Sequence, residues 1–316
     1  MKRDAHYNDV MAPAQHPPDD GTELWRQIDT SLSDALGEPF FTQQRESVSG
    51  GCISTTLRID GPDFPVFLKL GQASDEPMFD AEADALQAIA ATNTVRVPAV
   101  IARGTACGRA WLAIEFIETG RPAPDAAAHL GEQLAGLHSA TGSQFGWHRD
   151  NWIGATPQRN TPEQDWPQFF AEHRLRAQLE LAAGNGLSQS VVDRGYRLAA
   201  ALPAIFADYA PSPSLRHGDL WGDNWACDLS GQPFIFDPAS YYGDRDADLA
   251  MTELFGGFPD SFYRAYDTVL PRAPGYPLRR ELYNLYHVLN HFNLFGGGYV
   301  AQAGTMIKRL LAEVGA

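Results

Sequence analysis

The residues best suited to chemistry lie in one short stretch. From Leu215 the chain reads Leu-Arg-His-Gly-Asp-Leu-Trp-Gly-Asp-Asn-Trp, and His217, Asp219 and Asn224 have the H-x-D-x-x-x-x-N spacing of a kinase catalytic loop. Asp237 closes the apolar run Phe-Ile-Phe a little further on, where the metal-binding Asp of a kinase sits. Phosphoryl transfer from ATP needs few protein groups. One carboxylate must accept the proton of the attacking hydroxyl, and Asp219 has that place. An amide and a second carboxylate must hold Mg2+, which takes oxygen ligands and keeps some waters. Asn224 and Asp237 supply those atoms. The same spacing also suits a polar loop between strands, with Asp and Asn serving turns. Asp237 at the end of an apolar strand favours the kinase reading.

A nucleotide must also be held, and the upstream chain offers the means. Residues 22–37 carry a helical stripe of Leu24, Trp25, Ile28, Leu32 and Leu36, which Thr22 can cap and Gly37 can end. Ser47 to Gly61 then reads as strand, glycine pair, strand. Gly50 and Gly51 would let backbone N–H groups approach phosphates, with Ser54 beside them. On its own the glycine pair is better accounted for by a plain hairpin turn. Lys69 is a charge inside the apolar strand Pro65-Val-Phe-Leu-Lys-Leu, and a buried ammonium needs a partner. On the helix predicted over Glu76–Ala91, Phe79, Glu82, Leu86 and Ile89 share a face, so Glu82 is the carboxylate on the apolar stripe. Strand Lys with helix Glu is how protein kinases position ATP phosphates. Alternatively Lys69 is an edge-strand charge with its stem buried. Strands at 97–101 and 110–118 complete about five antiparallel strands with one helix, and Glu115, Phe116 and Ile117 would form a hinge that meets adenine.

After the linker Gly120-Arg-Pro-Ala-Pro the chain reads helical. Leu130, Leu134 and Leu137 make a stripe that ends at His138, which reads as a helix-terminal histidine. Helices are predicted over 166–183, 191–209 (perturbed by Pro203), 246–255, 259–270, 278–295 and 299–314. The run Gly296-Gly-Gly follows a helix with no strand before it and reads as a helix break. The pattern is α+β, with a small antiparallel-sheet lobe over 21–118 for nucleotide and a mostly helical lobe over 119–316 for catalysis and substrate.

Composition narrows the partners. The chain has 316 residues and a net charge of -15, which argues against nucleic acid or an anionic membrane. No apolar run approaches the ~18 to 20 residues of a membrane span. Three cysteines do not make a disulfide framework and suit a reducing cytoplasm. Residues 1–20 lack an apolar signal core and read as a disordered extension. Cys52, in the glycine turn among N–H groups that favour an anion, reads either as an oxidation-sensitive thiol that could join two chains or as a small residue filling the turn.

Beyond the generic kinase pattern, the chain resembles the fructosamine-3-kinase (ketosamine-3-kinase) family within the aminoglycoside-phosphotransferase-like kinases. The residues carrying the resemblance are Gly-Gly-Cys-Ile-Ser at 50–54, Met-Phe-Asp-Ala-Glu-Ala-Asp-Ala-Leu at 78–86, and Leu-Gly-Glu-Gln-Leu-Ala-Gly-Leu-His at 130–138. Phe-Gly-Trp-His-Arg-Asp-Asn at 145–151, His-Gly-Asp-Leu-Trp at 217–221 and the long motif from Asp237 to Phe258 complete it. It implies a bilobal protein-kinase-like fold and ATP-dependent phosphorylation of the 3-hydroxyl of ketoamines on glycated amines or proteins, which then free the amine. By the same resemblance Asp219 is the proton acceptor, Asn224 and Asp237 hold Mg2+, and Lys69 and Glu82 form the ion pair. The family usually reads Ser-Gly-Asn or Gly-Gly-Asn after the Trp; here Asp223 precedes Asn224 and either adds a metal ligand or faces solvent. Trp221 would wall the sugar pocket or pack between lobes, and Asp223 or Asp244 could attract a substrate amine. An aminoglycoside, choline or another amino alcohol is the alternative acceptor, and an inactive kinase-fold binding protein the alternative class. A monomer and a homodimer both suit the sequence.

Overall fold

The computed structural model describes residues 21–48 and 54–315. Residues 1–20, and with them the expected extension, lie outside the described residues, as do Gly50, Gly51 and Cys52. The chain forms two compact units: the residues up to Phe79 with Val100–Phe116, and Asp80–Ala99 with the chain from Ile117 onward.

The first unit is built on a sheet. Helix α1 (Gly21–Leu36) buries Leu24, Trp25, Ile28 and Leu32. Gly37 ends it in the left-handed region, with φ 73, its N–H donating to Ser33 O. Thr22 lies inside the helix rather than capping it. Five antiparallel strands follow, β1 (Gln44–Ser47), β2 (Thr55–Asp60), β3 (Pro65–Gln72), β4 (Val100–Ala106) and β5 (Arg109–Glu115), in the order β1-β2-β3-β5-β4. Cys107 and Gly108, both at positive φ, make the two-residue turn between β4 and β5. Side chains alternate across a strand. Leu57, Ile59, Val66, Leu68, Leu70, Trp111 and Ala113 therefore share one face, and α1 covers it. Lys69 falls on the opposite face, in register with Thr56 and Leu112 and 8 % exposed. On the residues at the end of β5 the Arg58 guanidinium stacks 4.8 Å from the Phe116 ring. The helix of this unit's core is thus α1. Helix α2 (Glu76–Ala91) runs through the expected range, but from Asp80 it groups with the second unit.

The second unit is mostly helical. It contains α3 (Ala126–Ser139), β6 (Asn151–Ile153), β7 (Thr156–Gln158), α4 (Trp166–Phe170), α5 (Ala177–Gly184) and α6 (Gln189–Ile205). Then come β8 (Ser214–Leu215), β9 (Trp225–Cys227), β10 (Pro233–Ile235), β11 (Tyr242–Gly243), α7 (Asp246–Leu254), α8 (Asp260–Val269), α9 (Tyr276–Phe295) and α10 (Tyr299–Glu313). The strands form three two-stranded ribbons, β6 with β7, β8 with β11 and β9 with β10. The helix predicted over 166–183 is interrupted, because residues 171–176 wind as a π-helix. Pro203 sits in the last turn of α6, and the helix stops two residues beyond it, at Ile205 rather than at 209. Gly296, at φ 76, ends α9 as the helix break expected there.

Helix α3 meets α8 at a glycine. A Cβ on Gly131 would lie 2.2 Å from Phe262 O, a backbone atom that has no room to move. Gly131→Ala should therefore destabilise by about 1–3 kcal/mol. Gly184→Ala, where no atom lies within 4 Å, should leave stability nearly unchanged. Thermal unfolding of both variants checks this; equal melting temperatures would show that α3 and α8 can separate freely.

Candidate active site

The catalytic loop turns at Gly218. Its φ is 88, and a Cβ there would lie 2.1 Å from Ala239 O. That close approach brings the loop against the segment after Asp237. Ala239 N–H donates to His217 O at 2.8 Å, Arg216 N–H donates to Tyr241 O at 3.3 Å, and β8 pairs with β11. His217 is buried between them. Its Nδ1 accepts from Asp219 N–H at 3.2 Å, and its Nε2 donates to Phe236 O at 2.9 Å. Those partners select the neutral Nε2–H tautomer, and burial lowers the pKa in keeping with it.

The three predicted chemical residues come together here. Asn224 Nδ2 donates to Asp219 O at 2.8 Å and lies 3.4 Å from Asp219 Oδ2. Asn224 O accepts from Phe236 N–H at 3.1 Å, which ties it to the residue before Asp237. Asp237 follows β10 in the left-handed region, with φ 56, a conformation that costs roughly 1–3 kcal/mol outside glycine and collects at functional sites. Burial, reinforced by the charges of Asp237 and Asp248, pushes the Asp219 carboxyl up to about 7. With Nδ2 turned inward, Asn224 keeps Oδ1 as an acceptor. An amide oxygen and a carboxylate beside a second carboxylate form an all-oxygen set, which suits Mg2+ completed by water and phosphate oxygens.

Asp248 holds the loop in place. It is 0 % exposed, on α7. Its Oδ1 accepts from Arg216 Nε and Nη2 at 3.2 and 3.1 Å and from Gly218 N–H at 3.0 Å. Its Oδ2 accepts from His217 N–H at 2.7 Å and from His138 Nε2 at 3.1 Å. Burial alone would raise its pKa; the Arg216 charge and the His138 hydrogen bond outweigh it and hold the carboxyl well below the usual range. His138 does lie in the last turn of α3, as expected of a helix-terminal residue, but it is buried, and its Nδ1 accepts from Tyr266 OH at 2.7 Å. Sequence reading missed Asp248, Arg216 and His138 as parts of the site. The available signal was Asp244, Asp246 and Asp248, two residues apart, leading into the apolar run Leu-Ala-Met of a helix, since aspartates are almost never fully buried unless paired.

The remaining candidates fall in different places. Trp221 makes an edge contact with Phe255 at 5.9 Å, and Phe255 lies 4.7 Å from His291, tilted by 52°. Asp223 is exposed on the turn before Asn224. Asp244 does not face a substrate amine: it is 0 % exposed and accepts from Tyr209 OH at 2.9 Å and Tyr283 OH at 2.5 Å, so the expectation of an electrostatic lure there is corrected. Glu82 is half-buried on α2. Ser54 directly precedes β2, Glu115 ends β5, and Phe116 and Ile117 continue beyond it without regular structure.

Known proteins share much of this chain. The fructosamine kinase family profile matches residues 24–313. The chain is 50 % identical over 291 residues to a "Probable ketoamine kinase" of Synechocystis sp., covering 91 % of this chain and 97 % of the relative. It is 40 % identical over 268 residues to a chloroplastic protein-ribulosamine 3-kinase of Arabidopsis thaliana, covering 84 % and 82 %. Among solved structures it is similar to one named for fructosamine-3-kinase from Haemophilus somnus, with a TM-score of 0.85, 30 % identity, and 92 % and 98 % of the two chains covered. An aminoglycoside phosphotransferase captured with ADP and hygromycin B shares the fold, with a TM-score of 0.57 at 15 % identity, covering 92 % and 99 %.

Removing the Asp248 charge should cost both stability and activity. Breaking a buried ion pair from one side typically costs about 3–5 kcal/mol. Because the folded carboxyl titrates below its unfolded value near 3.9, its contribution is complete above that pH and is lost as the pH falls toward the folded value. Urea titrations of Asp248→Asn should show a lower midpoint at pH 7 and a flatter decline between pH 5 and 3 than wild type. Parallel declines would remove Asp248 ionisation from the stability of the fold.

Proposed function

The chain belongs to the fructosamine kinase family, and on that premise we propose that it is an ATP-dependent ketosamine 3-kinase. It transfers the γ-phosphoryl group of ATP to the 3-hydroxyl of a sugar ketoamine. The observation that carries the reading is the hydrogen-bonded grouping of Asp219, Asn224 and the Asp237 segment around His217. Asp219 takes the hydroxyl proton as the bond from O3 to phosphorus forms and the bond to the β,γ-bridging oxygen breaks, leaving ADP. Mg2+, held by Asn224 and Asp237, neutralises phosphate charge when bound. His217 contributes no proton; it fixes the Asp219 backbone against the strand that delivers Asp237. Lys69, Glu82, Gly50, Gly51 and Ser54 are assigned to the phosphates, and Glu115, Phe116 and Ile117 to adenine, on residue type and place in the chain. Trp221 and Asp223, near Asp219 in sequence, are assigned to the acceptor.

The product explains the purpose. A phosphate at C3 of a 2-ketose sits beside the carbonyl. Loss of a proton from C1 lets that phosphate leave, and hydrolysis then frees the amine. The acceptor is a ketoamine on a small amine or on a glycated protein, of the fructosamine or ribulosamine type. Family membership favours this over an aminoglycoside or choline, and the presence of Asp219, Asn224 and Asp237 together disfavours an inactive binding protein. Among the described residues no helix is long and apolar enough to cross a membrane. The paucity of cysteine leads us to place the enzyme in the cytoplasm.

Mass spectrometry of fructosyl- and ribulosyl-lysine incubated with the enzyme, ATP and Mg2+ should show gain of one phosphate followed by release of lysine. No gain on either, with clear turnover of an aminoglycoside or choline, would overturn the substrate class. In Asp219→Asn, kcat should fall by roughly 10²–10⁴-fold with ADP affinity little changed. Wild-type turnover would remove Asp219 from the reaction.

A further inference from the structure

The backbone that follows Asp237 is held from two sides. The catalytic loop engages it through Ala239 N–H and Tyr241 O. Two of its carbonyls, Ala239 O and Ser240 O, meet the ribbon of β6 and β7, where Asn151 and Gln158 are cross-strand partners. Both side chains are buried, 3 % and 2 % exposed. Asn151 Nδ2 donates to Ser240 O at 2.8 Å. Gln158 Nε2 donates to Ala239 O at 3.3 Å and to Asn151 Oδ1 at 2.8 Å. Neither amide is free to flip. Asn151 Oδ1 also accepts from Asn160 Nδ2 at 2.8 Å, and Gln158 Oε1 accepts from Tyr286 OH at 2.7 Å.

We propose that Asn151 and Gln158 are positioning residues for the metal-binding segment, setting where the Asp237 carboxylate stands relative to Asn224. This rests on the reading of Asn224 and Asp237 as the metal site. The physical case has two parts. Asp237 occupies a left-handed backbone conformation that a non-glycine residue keeps only when its surroundings enforce it. The amides grip the carbonyls two and three residues further on. A buried polar network also costs more than an apolar core unless every member is satisfied, so it is a poor device for stability alone. Its directional bonds are what an apolar contact could not supply. They fix the distance along the strand and the rotation about it, both of which decide where a carboxylate points. Partners of this outer kind usually change metal affinity about 10–100-fold when removed.

The test measures metal binding apart from turnover. Mn2+ binding to the full-length protein with ADP is followed by electron paramagnetic resonance in wild type, Asn151→Ala, Gln158→Glu, Tyr286→Phe and Asp237→Asn. ADP binding without metal is measured alongside. Asn151→Ala and Gln158→Glu should bind Mn2+ about 10–100-fold more weakly, with metal-free ADP affinity unchanged. Tyr286→Phe removes one hydrogen bond and keeps the ring, so it should shift Mn2+ affinity the same way by less. It also decides the matter should Asn151→Ala fail to fold. Wild-type Mn2+ affinity in the three network variants, with lowered melting temperature only, would overturn the inference and leave a structural role. Mn2+ affinity unaltered in Asp237→Asn would instead overturn the metal-site reading on which it rests.

Discussion

A carboxylate with no water around it must be satisfied entirely by its neighbours, and Asp248 is in that position. Four groups surround it: a guanidinium, an imidazole N–H and the N–H groups of His217 and Gly218. An isolated charge at such depth would cost several kcal/mol, so the Arg216 pair and the loop amides are conditions of the fold as much as decorations of it. The electrostatics and the geometry are therefore one constraint. The loop that carries Asp219 has its shape because its amides must face Asp248, and Arg216, one residue before that loop, is the cation that makes the charge tolerable. α3 is bound into the same arrangement through His138, and α8 through Tyr266.

A second constraint acts where backbone meets backbone. Gly218 and Asp237 both occupy left-handed conformations, and the glycine is needed because Ala239 O stands where its Cβ would be. The strained aspartate is on the segment that the neutral His217 ring reaches through Phe236 O. A protonated ring could not accept from Asp219 N–H, so burial of His217 protects the junction by keeping the ring neutral.

Much of this was legible in the sequence, for physical reasons that can be named. Asp219, Asn224 and Asp237 could be picked out as candidates because the atoms that proton acceptance and Mg2+ binding would need lie at short range along the chain. Helix α2 and the strand alternation around Lys69 were found because helical and strand periods are local. What escaped was decided through space. Nothing in Asp244 as a residue says that Tyr209 and Tyr283 will enclose it. Asp248 lies 29 residues beyond Asp219 and touches the loop only after α7 has packed. The π-helical turn at 171–176 and the early end of α6 likewise depart from the helices that the apolar pattern predicts.

One ring joins these systems. The guanidinium of Arg174, from the π-helical turn, stacks 3.9 Å from the ring of Tyr241, and that of Arg216 lies 4.7 Å from the same ring while donating to its hydroxyl. Arg174 also donates to Asn160 at 2.7 Å, and Arg216 to Asp248. The two networks therefore share a packing partner in the Tyr241 ring, and opening either one removes a cation from it. Many kinases are switched on and off by ordering and releasing the segment after their metal-binding Asp. Here the segment after Asp237 is held from both sides, by the loop around His217 and by Asn151 and Gln158, and releasing it would break those bonds.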